Sequence, residues 1–306
     1  MGKYKSNHFI GRAIVAQFKG ANNQVVYWDK SIGGKLEPRN PRSVHSEDYL
    51  YAKWNVDGDR NWDAEAFLAD DIDNHAVAKI DELIAGFSKS GQFVLAAPQR
   101  EFLAKLLIRT VLRNPTLINH ASRLPLIRLS MTLSRVARFI ERGFKKDAAY
   151  DRYGRERVLL GEVATAAAQF DLKDLGKEIE NRGFHFCIPN DEARNFILGS
   201  QPFIINTVSN TQGKSAISDV ILSPGNEVYL VLHPRIILKV YGTSDSVIPI
   251  VLDDEDMKRI NGLFVKYSNS VVAVKASDLQ DVWYKDFGKE TEDGRMIVTV
   301  SDDASL

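Results

Sequence analysis

Apolar and polar residues repeat along this chain with two different periods, and the changes of period mark out three segments. His8 to Phe18 and Gln24-Val-Val-Tyr-Trp28 are dense in strand formers. Gly33-Gly34 predicts a turn, Pro38 and Pro41 bracket a loop, and Tyr49-Leu-Tyr51 is a short apolar run. From about residue 62 the period becomes helical. Phe67, Ile72, Val77, Ile80 and Ile84 share one face, with Gly86 suited to its end. Pro98 opens a second helix through Arg113, in which Lys105, Arg109 and Arg113 lie four apart and share a face. Asn114-Pro115 ends or kinks it.

A third helix, Pro125 to Lys146, has the clearest pattern. At ~100° per residue, Leu126, Leu129, Leu133, Val136 and Ile140 fall within an arc of roughly 80°, and Arg128, Arg135, Arg138, Arg142 and Lys145 fall within another. The apolar arc calls for a core, and the basic stripe for water, acids or phosphates. Another helix is expected over Val158–Phe170, and Asp171–Leu175 begins one more turn. After Gly183 the pattern returns to strands: Phe184–Ile188, Phe196–Leu198, Phe203–Val208, Val228–Leu232, Ile236–Tyr241, Val247–Val251 and Val271–Val274. Asp253-Asp-Glu-Asp256 suits the N-terminus of a late helix. A short helix over Ser277–Trp283 and an edge strand over Met296–Val300 complete the expected elements.

The expected fold class is α+β: a small N-terminal strand-and-loop cap, a central helical block, and a C-terminal mixed or antiparallel β-layer with a late helix. The whole is read as one domain over residues 1–284. The cap covers 7–56, the helical block 62–180 and the β-rich part 184–275, and a polar tail follows over 285–306.

Composition narrows the classes. The chain has 306 residues, of which 44% are hydrophobic and 26% charged; these proportions exclude collagen, a coiled-coil rod and a largely disordered chain. A single cysteine, Cys187, excludes an internal disulfide and a multi-thiolate zinc site. No run is apolar and long enough for a signal peptide or a membrane span, so a cytoplasmic location with no membrane partner is expected. Forty bases balance forty acids, but the balance hides a polar layout. Residues 57–99 hold nine acids and three bases, and residues 100–157 hold fourteen bases and five acids. Either the two blocks pack together and cancel, or the basic block faces an anionic ligand such as nucleic acid.

Most chemical motifs fail. Gly213-Lys-Ser215 imitates the end of a phosphate loop, but Val208 stands where the opening glycine belongs. Asp219 and Glu227 imitate a nuclease carboxylate pair, but Tyr229 occupies the position of the usual lysine. No two of the six histidines have metal-ligand spacing, and the sequence names no metal and no cofactor. His185, between two phenylalanines, and the four tryptophans read as structural. His8, with no apolar neighbour before it, is a candidate general acid or base.

In order, these elements resemble the bacterial domain of unknown function 4238 family. The resemblance rests on His8-Phe-Ile-Gly-Arg-Ala-Ile-Val-Ala-Gln-Phe18, Val25–Lys30, Pro41–Tyr51, Arg113-Asn114-Pro115, Leu198-Gly-Ser-Gln-Pro202, Leu222-Ser-Pro224 with Val228–Pro234, and Ile260-Asn261, and it covers residues 7–275. Gly11 stands where the family has a proline, and Gln201 near a typical aspartate. The resemblance implies that a His–Arg–Asp constellation, if the family uses one, has lost its acid here.

Two functions follow as expectations. The first is a binding or regulatory component with a protein partner, for example in a bacterial phage-defence or conflict system; Arg113 would then pair with the acidic segment. The second is a nuclease-like enzyme acting on a phosphate-containing substrate, with His8 and Arg113 catalytic. Gln17, Gln201, Asn261, Arg109, Arg128, Arg135, Arg138 and Arg142 are the candidate binding residues, and nucleic acid or another anion the candidate ligand.

Overall fold

The computed structural model describes residues 6–282 apart from 21, 31–35, 49, 142, 144–146, 208–222, 224, 244–245 and 280–281. The Gly33-Gly34 turn, Tyr49, Arg142, Lys145, the Gly213-Lys-Ser215 segment, Asp219, Leu222, Pro224, Trp283 and the strand over Met296–Val300 lie outside the described residues. The order of elements is β1 (Ser6–His8), α1 (Arg12–Ala16), β2 (Val25–Asp29), β3 (Glu37–Arg39), β4 (Ser46–Asp48), β5 (Lys53–Trp54), β6 (Arg60–Asn61), α2 (Asp63–Leu68), α3 (Asn74–Ser90), α4 (Ala97–Leu112), α5 (Pro115–Arg123), α6 (Pro125–Glu141), α7 (Ala148–Tyr153), α8 (Arg155–Ala168), α9 (Lys173–Glu180), β7 (Gly183–Pro189), β8 (Leu198–Gly199), β9 (Phe203–Thr207), β10 (Asn226–His233), β11 (Ile236–Tyr241), β12 (Val247–Leu252), α10 (Asp254–Tyr267) and β13 (Ser270–Ala273). A π-helical turn, Ala69–Asp73, joins α2 to α3. The architecture is α+β.

The chain divides into two compact units. A helical unit takes the described residues of Met1–Phe9, Ser46–His75 and Arg109–Asp171; a sheet unit takes those of Ile10–His45, Ala76–Ile108 and Leu172–Leu306.

In the helical unit, β1 pairs antiparallel with β4, and β5 with β6. Asn114 ends α4 and starts α5: its side chain accepts from the Thr116 amide at 2.9 Å, and Pro115 takes the first helical position, where its missing N–H costs nothing. The main core joins Leu50, Tyr51, Leu68, Ile118, Val163 and Ala164, and Ile127 and Met131 of α6 pack against it. A Cβ on Gly161 would stand 2.3 Å from the Ala52 carbonyl and 2.8 Å from the Trp54 ring, so α8 meets β5 there only because position 161 has no side chain.

α6 departs from expectation twice. It ends at Glu141, short of Lys146, and it is turned the other way round. The apolar arc that called for a core is exposed: Leu126 80%, Leu129 55%, Leu133 60%, Val136 46% and Ile140 69%. Arg135, from the basic arc, is 2% exposed. The physical reason is that carboxylates and carbonyls are waiting for the arginine inside, as set out below, while Ile127 and Met131 supply the apolar contact.

In the sheet unit, a five-stranded mixed sheet runs in the order β12-β7-β11-β10-β9, with β12 and β7 parallel and the other pairs antiparallel. A four-stranded sheet, β3-β2-β13-β8, joins early and late strands. Phe184 and Phe186 of β7 and Leu238 and Val240 of β11 are buried on either side of the less buried His185 and Lys239, as alternation predicts, whereas β10 is buried on both faces from Asn226 to Leu232. Phe93 stacks between Phe87 and Phe186, with centroids at 4.3 and 4.1 Å. Asp253 caps α10 by accepting from the Asp256 amide at 2.9 Å. The strand expected through His8–Phe18 is corrected: α1 begins at Arg12, where the Gly11 carbonyl accepts from Ile14 and Val15. Ile10, Ile14, Val15 and Phe18 are buried together, which is the spacing of a helical face.

Candidate functional site

In the helical unit, five arginines in or just after α4 and in α6 are drawn onto carboxylates, and two of the five, Arg109 and Arg113, reach back to the acidic block. The π-helical turn carries Asp71 and Asp73, and such widened turns are frequent at functional positions. Arg109 donates from Nε to Asp71 at 3.0 Å. Its Nη1 donates to the carbonyls of Ala168 and Phe170 at 2.8 and 2.9 Å, which places a cation at the open carbonyl end of α8.

Arg113, one turn further on, grips Asp73 with both Nη atoms, at 2.7 and 3.1 Å, and Nη2 also donates to the His8 carbonyl at 2.6 Å. The Tyr51 hydroxyl donates to the Arg113 carbonyl at 2.9 Å. The Arg113 side chain is 4% exposed, against 24% for Asp73, and its Nε is buried without a hydrogen-bond partner among the described residues. Burial works against the guanidinium charge, but the adjoining Asp73 carboxylate outweighs it and holds the group firmly protonated. Burial raises the Tyr51 hydroxyl well above its ordinary range. His8 and Arg113 therefore meet, but through the histidine main chain.

Arg135 is the centre of a second cluster. Nε and Nη2 hold Asp147, the latter at 2.7 Å, and Nη1 donates to Glu162 at 3.1 Å and to the Trp54 carbonyl. Asp147 also caps α7 by accepting from the Ala149 and Tyr150 amides at 3.1 Å. Burial pushes its carboxyl up, but Arg135 and these amides outweigh that and hold it below its ordinary value. Arg138 donates to Glu162 at 2.7 Å. Beside Trp54, Asn55, Val56, Arg135 and Arg138 there is a void of about 10 Å³, the size of one water. Arg128 forms a two-bond pair with Glu156 at the surface, at 2.6 and 3.1 Å.

The remaining candidates lie in the sheet unit. Gln17 ends α1. Gln201 is buried, with its amide donating to Ser268 Oγ at 3.2 Å. Asn261 accepts from the Ile197 amide at 3.2 Å and donates to the Asn195 carbonyl at 3.1 Å, which ties α10 to the segment that leads into β8. The Asn261 side chain is thus engaged with the protein itself, and Gln201 is engaged through its backbone N–H.

One polar cluster of this unit escaped sequence reasoning. Glu227 pairs with Lys239 at 2.5 Å and accepts from Tyr229 at 2.8 Å and Asn206 at 3.1 Å. The lysine absent from position 229 is supplied from the next strand, where Lys239 stands opposite Tyr229 and His185. Only strand register brings them together, so spacing along the chain carries no signal for it. Burial works to raise Glu227, but Lys239, Asn206 and Tyr229 outweigh it and hold the carboxyl down. Burial and the Lys239 charge lower His185, and burial pushes the Cys187 thiol up to about 12, leaving it inert. A cleft of about 360 Å³ opens beside Glu82, Gly86, Phe87, Lys89, Gln92 and Gln99 and holds none of the predicted residues.

Among the described residues no group of three or more His, Cys, Asp or Glu is placed to hold a metal ion, and no described helix is long and apolar enough to cross a membrane. Asp71 and Asp73 were counted in the acidic block but not singled out, and Asp147 and Glu162 lie outside that block, so charge counting carried no signal for them. No curated protein and no solved structure matches the chain. The family model described as protein of unknown function DUF4238 matches residues 6–278, which span both units. The chain therefore belongs to the DUF4238 family.

Proposed function

We propose that this protein is a non-catalytic binding component that engages a protein partner, and that the arginines of its helical unit are internal clamps. The observation that carries this reading is Arg113. Its fork is sealed from solvent and committed to Asp73 and to a backbone carbonyl, so no face of it is offered to a phosphate. Pairing with acids, though not sealing at every position, extends along the basic stripe, where Arg128, Arg135 and Arg138 meet Glu156, Asp147 and Glu162. A helix that follows a nucleic-acid backbone needs cations turned to solvent. Here acids of the same unit neutralise them.

The test uses the full chain with duplex DNA, single-stranded RNA and a chromogenic phosphodiester. The expected result is no salt-dependent binding and no turnover, with His8→Ala indistinguishable from the parent. Turnover that His8→Ala abolishes while the fold is retained overturns the reading in favour of a nuclease-like enzyme. Binding that weakens with salt and is lost in Arg128→Glu overturns it in favour of a nucleic-acid binder.

A further inference from the structure

The outward face of α6 has a spacing that a merely exposed surface does not need. Leu126, Leu129, Leu133, Val136 and Ile140 are separated by three, four, three and four residues, the period of 3.5 that defines the a and d positions of a helix-to-helix seam. All five are well exposed. Together they present roughly 600 Å² of apolar surface, at the upper limit for the largest patch of an ordinary monomer.

We propose that this seam is a self-association surface, and that its occupant is α6 of a second copy of the chain. Three observations select that occupant. First, Ser130, Thr132 and Ala137, which flank the seam, carry no charge. Flanking charges are what choose an unlike partner or forbid a like one, and two copies meet here without like-charge opposition. Second, covering the stripe on both copies removes roughly 1,200 Å² from water, the lower bound for a specific, stable interface. Third, the arginines of α6 are directed to Glu156, Asp147 and Glu162. A helix lying on an anionic membrane would instead spread its cations along the border of the apolar face.

The helix cannot roll to bury the stripe within its own unit. Arg135 is 2% exposed and bonded to Asp147, Glu162 and the Trp54 carbonyl, and Ile127 and Met131 pack on the core from the same side. Two heptads are short for a free coiled coil. This helix, however, is already folded and anchored, so pairing need not order it first. A self-complementary patch of this kind closes as a two-fold dimer.

The proposal is independent of the protein-binding reading, because its test leaves the arginines intact. Sedimentation velocity of the full chain over a range of concentrations should show a dimer. Leu133→Glu and Leu129→Glu should each shift it to monomer, weakening association by roughly tenfold or more. Ser134→Glu, exposed on α6 but off the seam, should leave the dimer intact. A parent that stays monomeric at every concentration overturns the proposal, as does a dimer indifferent to Leu133→Glu. Co-sedimentation of a monomeric parent with phosphatidylserine vesicles, lost in Leu133→Glu, overturns it in favour of a membrane surface.

Discussion

The two units bury their side chains by different rules. In the five-stranded sheet, Phe184, Phe186, Leu238 and Val240 are inside, as the alternation around His185 in β7 and Lys239 in β11 predicts. In α6, Arg135 is inside and the leucines are outside. The helix shows as clear a period as any strand, so periodicity is not what differs. A sheet strand has an apolar neighbour on each side to define its inner face, whereas α6 is held by Asp147, Glu162 and the Trp54 carbonyl. These give the guanidinium a better partner than water, and a paired buried charge stays where its partners are. An amphipathic pattern thus says that a helix has two faces, and the partners decide which of them is inner.

The largest expected effect comes from breaking that arrangement at its centre. Arg135→Ala leaves Asp147 without its cation and Glu162 with Arg138 in place of two arginines, and should cost about 3–5 kcal/mol, read as the loss in urea-unfolding free energy. A loss below about 1 kcal/mol would mean that apolar contacts alone hold α6 in place. Arg113→Ala removes the grip on Asp73, which keeps some contact with water, and should cost about 2–3 kcal/mol in the same assay.

Acid should separate the two units. His185 and His233 sit below their ordinary 6.5 because burial disfavours their charge. The unfolded chain therefore takes up protons more readily, and the sheet unit loses stability as the pH falls below 6.5. Glu227 and Asp147 are held below their ordinary 4.5 and 3.8 by their cations and hydrogen bonds. The stability they contribute persists until the pH falls past those values. Hydrogen exchange at stepwise lower pH should show β7 and β10 loosening before α6; simultaneous loosening would contradict the contrast.

The smallest effect sharpens the comparison from the other side. Leu133→Glu places a charge on an apolar position of α6 and should change the stability of the single chain by no more than about 0.5 kcal/mol, since the side chain is exposed there. Arg128→Ala, at the surface, should leave the melting midpoint unmoved.

The sequence by itself determined the order and kind of most elements. Strand formers and helical spacing are local properties, so β2, α4, β7, β11 and α10 could be placed from neighbours in the chain. It also determined that an acidic and a basic block existed. Which acid meets which arginine, which side of α6 is inner, and that Lys239 stands beside Glu227 were decided by tertiary structure alone. Each depends on residues twelve or more positions apart, or on strand register. Charge and periodicity are one-dimensional quantities, whereas the pairing of a buried charge requires a partner at ~3 Å in space.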